Sequence, residues 1–105
     1  MQNKIIVSEQ AQSDLENILY GLIHWKKGGL EKEHAHKYVD DIVELFYLIP
    51  ELSHHFPVSH AEHKQFGEYV YRYRRTQNTM WYIIYNIDKK ENVFINKIIS
   101  NHITT

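Results

Sequence analysis

The chain of 105 residues contains no cysteine, which removes disulfide frameworks, thiolate zinc sites and cysteine nucleophiles at once. It lacks any apolar run approaching the roughly 18 residues of a membrane span. Its first residues do not follow the basic, apolar, small-residue order of a secretory signal. A cytoplasmic protein with no membrane partner is expected. Internal repeats and low-complexity segments are also missing. Net charge is −1, a balance that selects no class of partner by itself. What remains is 43% apolar and 24% charged, the composition of a chain that folds around a core. One domain spanning 1–105 is expected, since domains take roughly 50 to 200 residues.

The charges are unevenly placed. Residues 1–63 hold five lysines against ten acids, and residues 64–105 hold seven Lys or Arg against three acids. All three arginines, Arg72, Arg74 and Arg75, fall within four positions of the basic half. If the halves become different layers, one surface carries a positive field suited to an anionic partner; the alternative is a solvated strand edge.

Periodicity gives the elements. Lys4-Ile5-Ile6-Val7 reads as a short strand ending at Ser8, a good helix N-cap, with Glu9 favouring the helix dipole. Ala11, Leu15, Ile18, Leu22 and Trp25 then follow steps of four and three, an amphipathic helix that Gly28-Gly29 stops. A second helix runs through Ala35, Tyr38, Val39, Ile42, Leu45, Phe46 and Ile49, ending at or before Pro50. Two helices joined by a short glycine turn make an antiparallel hairpin, and their apolar stripes read as core. Residues 51–64 have no clean period and read as a surface connector. From Tyr69 the period becomes two: Tyr69, Tyr71 and Tyr73 share one face, Val70, Arg72 and Arg74 the other. Met80–Ile87 is nearly continuous apolar, as for a central strand, and Val93–Ile99 is the last strand. The expected architecture is α+β: an N-terminal strand, a two-helix hairpin and a three-stranded antiparallel meander, with the helices on one face of the sheet. The tyrosines are expected to pack as core, base stacking on RNA being the alternative.

This order resembles the RelE/ParE superfamily of bacterial toxins, plasmid-stabilisation proteins of type II toxin–antitoxin systems, over nearly the whole chain. The residues that carry the likeness are Ile5-Ile6-Val7-Ser8-Glu9-Gln10-Ala11 followed by Asp14-Leu15, then Ile49-Pro50-Glu51-Leu52, then Tyr82-Ile83-Ile84-Tyr85-Asn86-Ile87-Asp88. The resemblance implies growth inhibition, silenced by a cognate antitoxin that lays an extended, often helical segment across the toxin. It also implies one of two activities. ParE-like members poison DNA gyrase by binding. RelE-like members cleave mRNA on the ribosome without a metal, holding phosphate with Lys and Arg and moving protons with Tyr or His.

The chain departs from the nuclease pattern by carrying Tyr82 where many relatives have Arg, and by ending its last strand in Ser100-Asn101-His102. These departures tilt the expectation toward a binding toxin, with Arg72, Arg74, Arg75 and Lys97 facing the target or its phosphates. Under the nuclease alternative, Arg74, Tyr82 and His102 are the candidate catalytic residues. No cofactor is expected, and a homodimer is left open. An inactive member of the fold is a further alternative. So is a metal-binding module built on His54, His55, His60, Glu62 and His63, since imidazole suits zinc, nickel and copper. His60-x-x-His63 alone falls short of the four ligands of structural zinc sites, and these histidines read more simply as surface residues, as do His34 and His36.

Overall fold

In a computed structural model, which describes residues 4–24 and 31–101, the chain opens with strand β1 (Ile5–Val7) and passes through Ser8 into helix α1 (Glu9–His24). Ser8 acts as the cap its type predicts: its hydroxyl accepts the Ala11 N–H at 3.0 Å, satisfying one of the donors that a helix start leaves open. Ala11 and Ile18 are buried, with Leu15 and Leu22 packed against the same core. Trp25 and the Gly28-Gly29 stop lie outside the described residues. Helix α2 (Lys32–Phe46) buries Ala35, Ile42 and Phe46. It ends four residues before Pro50, and a 3-10 turn at Ile49–Glu51 seats Ile49 fully in the core.

The sheet has five strands in the order β1-β5-β4-β3-β2. Strands β3 (Tyr69–Thr76), β4 (Thr79–Ile87) and β5 (Val93–Ser100) form the expected antiparallel meander. No partner for β1 is legible in the residues; it pairs parallel with β5, Ile5 opposite Val93 and Val7 opposite Ile95. The connector is more ordered than its irregular composition suggested. Within it, β2 (Phe56–Pro57) pairs with β3, Val58 is buried, and Ala61–His63 forms a 3-10 turn.

The helices pack on one face of the sheet, where Trp81, Ile83, Tyr85, Val93, Ile95 and Ile98 form the core. Tyr69, Tyr71 and Tyr73 pack against this cluster, so the aromatic face of β3 is core. A bulge lies between Ile84 and Tyr85, which face Lys97 and Ile95 respectively. Without it, the step of three between Ile95 and Ile98 would turn one of them out of the core. The opposite face carries a smaller cluster of Val58, Val70 and Ile84 with Phe66, Tyr82 and Ile99, and the connector lies over it. Gly67 permits that approach: a Cβ there would stand 3.0 Å from Ile84 Cγ2 and 3.2 Å from Asn86 Oδ1.

Past Ile95, the outer side of β5 has no strand partner among the described residues. Side chains take over. Ser8 donates its N–H to the Ile95 carbonyl and its hydroxyl to the Asn96 carbonyl. Asp14 accepts the Ile98 N–H at 3.0 Å with one oxygen and the Lys97 ammonium at 2.9 Å with the other. Asp14 is buried at 7% exposure, and hydrogen bonds to a charged group at such a place are worth roughly 1.5–3 kcal/mol. Asp14→Ala is expected to lower unfolding free energy by about 2 to 3 kcal/mol, measured by urea denaturation. Lys37→Ala, which removes only the exposed pair with Asp41, is expected to leave the midpoint unchanged. A loss below about 0.5 kcal/mol for Asp14→Ala would contradict this role.

Candidate functional site

An open groove of about 1140 Å³ wraps the outer edge of β5, lined by Asp14, His60, Glu62, His63, Tyr82 and Lys97 among others. On the connector side it is built by a local rule. In a 3-10 turn residues three apart eclipse one another. His60, the cap of the Ala61–His63 turn, therefore lies over His63. Their rings stack at 4.9 Å between centroids and 8° between planes. Tyr82 of β4 packs against both, at 5.5 Å and 5.4 Å. Directly across the ladder from Tyr82 stands Arg72 of β3, whose guanidinium donates to Ser59 Oγ at 3.2 Å, next in sequence to His60.

The other sequence candidates scatter. Arg74 donates to the Gln77 carbonyl in the β3–β4 turn, on the same outer face as Arg72; neither arginine lines the groove. Arg75 falls on the tyrosine side of β3, at the register irregularity between Arg74 and Thr76. Its guanidinium lies 2.7 Å from Asp41 of α2 and 4.1 Å from the centre of the Tyr38 ring. Lys97 is spent on Asp14 and lies 5.3 Å from the Phe66 ring centre. His102 lies outside the described residues. Part of the charge asymmetry read from the sequence is thus internal: Arg75–Asp41 and Lys97–Asp14 join the acidic helices to the basic sheet.

The histidine-rich connector also divides. His55 Nδ1 shares a hydrogen bond with the Tyr85 hydroxyl at 2.6 Å, and burial, helped by Tyr69, pushes that phenol up to about 12. His54 packs edge-on to Phe56. Among the described residues, His60, Glu62 and His63 alone bring ligand atoms together, all within 4.8 Å of one another. The pairing of Tyr82 with these imidazoles was invisible in the sequence, because it joins segments some twenty residues apart through a loop without periodicity. The His-x-x-His spacing was the one available signal.

His63 is 7% exposed, and burial, together with the neighbouring His60, holds its imidazole below the ordinary histidine value. Burial thus favours the neutral ring. No family model, no curated protein and no solved structure matches the chain.

The unfolded chain takes up a proton below pH 6.5 while the folded one resists, so stability falls as pH drops from there to the folded midpoint and then levels off. An NMR titration of the His63 Cε1–H signal is expected to give a midpoint below 6.5, moving upward in His60→Ala. A midpoint at or above that value contradicts the burial argument.

Proposed function

We propose that the chain is the toxin half of a toxin–antitoxin pair and that it acts by cleaving RNA in the groove beside β5. The observation that carries this reading is the contact of Tyr82 with two stacked imidazoles, opposite Arg72 on the neighbouring strand. The resemblance in the N-terminal strand and helix, the Ile49-Pro50-Glu51-Leu52 word and the β4 strand supplies the toxin class. The groove supplies the preference between its two activities.

The chemistry needs three things: a base for the ribose 2′-hydroxyl, an acid for the leaving 5′-oxygen, and a cation for the phosphorane charge. His63 takes the 2′ proton as the oxygen attacks phosphorus. The P–O5′ bond breaks, and Tyr82 or a protonated His60 gives its proton to the 5′-oxygen. The products are a 2′,3′-cyclic phosphate and a free 5′-hydroxyl. Arg72, which stands beside the groove across the ladder from Tyr82, neutralises the phosphate. Lys97, held by Asp14, shapes the wall. Relative to the sequence expectation, this moves the proton-handling role toward the connector histidines and away from Arg74.

A second reading, poisoning of a gyrase-type target by binding alone, draws on the exposed Arg72 and Arg74, which share the outer face. Arg75 does not join them, so the basic surface is smaller than the sequence suggested.

Inducing the gene in a bacterium lacking the antitoxin is expected to arrest growth and to produce cleaved transcripts within minutes. His63→Ala should reduce cleavage by about 100-fold or more, the scale of one acid or base, and restore growth, and one of His60→Ala and Tyr82→Phe should do the same. Arrest with intact transcripts and a DNA-damage response would replace this reading with the binding one. Uninhibited growth by a folded, soluble protein would remove both.

A further inference from the structure

We propose that His60, Glu62 and His63 form a binding site for a divalent transition-metal ion of the zinc class, with its fourth position open to water. Their ligand atoms already lie within 4.8 Å of one another. Zinc binds imidazole nitrogen and carboxylate oxygen at about 2.0–2.2 Å, which sets neighbouring tetrahedral donors about 3.4 Å apart. Closing the remaining gap needs only side-chain rotation of His60 and Glu62, both exposed. Two nitrogens and one oxygen with an open position is the pattern of an accessible zinc site rather than a closed structural one. The donor set also selects the metal, since calcium and magnesium call for oxygen ligands while imidazole suits zinc, copper and nickel.

Three observations set this trio apart from ordinary surface histidines. The eclipsed geometry of the 3-10 turn and the packing of Tyr82 against both rings bring the two imidazoles side by side before any ion arrives, so that only a turn of His60 and Glu62 is left to make. Among the described residues neither ring makes a hydrogen bond, in contrast to His55, whose Nδ1 is engaged by Tyr85. No polar side-chain atom sealed from solvent lacks a partner among the described residues, so His63 keeps a nitrogen accessible to the groove despite its burial. The remaining histidine of the connector that the sequence grouped with them, His54, stacks on Phe56 instead.

An ion held here takes the imidazole lone pairs that RNA cleavage would use. Metal binding and metal-independent cleavage at this groove therefore exclude one another, and the ion acts as an inhibitor. The binding itself does not depend on the RNA reading.

The test is isothermal titration of zinc sulfate into untagged, chelator-stripped protein, with cobalt(II) absorption as a second probe of coordination. The expected result is one ion per chain and a tetrahedral cobalt band. His60→Ala and Glu62→Gln, both at exposed positions, should each weaken binding by more than about 10-fold, since even outer-shell changes cost that much. His54→Ala should bind as the parent does. Should His63→Gln unfold the protein, the two exposed variants still decide. Absence of stoichiometric binding, or equal affinity in the parent and both exposed variants, or equal weakening by His54→Ala, would overturn the site.

Discussion

A single carboxylate, Asp14, joins the helical layer to the edge of the sheet where strand pairing stops. Strand β1 covers β5 only as far as Ile95, which leaves the backbone from Asn96 onward facing solvent or side chains. An open edge of this kind invites pairing with another chain. Asp14 answers by accepting the Ile98 N–H and the Lys97 ammonium together, and Ser8 contributes at Ile95 and Asn96. The same constraint that fixes α1 against β5 turns Lys97 around the edge and leaves the groove open beside it. The groove exists because β1 is short and its work is finished by side chains.

The two faces of the sheet divide the labour. The helix face is committed to stability, with its tyrosines, Trp81 and the isoleucines forming one core and Arg75–Asp41 tying β3 to α2. The outer face is only partly covered, by the connector that crosses at Gly67 and seats Val58 and His63. Polar chemistry collects where that cover stops: Tyr82, the stacked imidazoles, Glu62 and Arg72. Two of the cations that could have advertised an anionic partner are consumed inside the molecule, so the charge imbalance between the halves overstates the outward field.

Much of the fold was legible in the residues. Ser8 as cap, the steps of four and three through Ala11 and Ile18, Pro50 as a limit to α2, and the alternation of Tyr69, Tyr71 and Tyr73 are local signals, and local geometry decided them. What escaped was non-local. The parallel pairing of β1 with β5 joins residues about ninety apart, and no pattern within either strand specifies it. The bulge that keeps Ile95 and Ile98 on one face shows in the sequence only as a step of three within the last strand. The candidate site was half legible: Tyr82 and Lys97 were singled out for phosphate or proton chemistry, and His60 with His63 for a metal, but nothing in the sequence placed these groups at one groove. Asp14 stood in the family-like opening word without any sign that it would hold β5.

The proposed RNA reading places the ligand in the groove beside β5. Chemical-shift mapping with a short single-stranded RNA measures this directly. Perturbations confined to His60, His63, Tyr82, Arg72 and the β5 segment around Lys97 are the predicted result. Perturbations centred on the outer surface of α1 and α2, or none at saturating RNA, would contradict it.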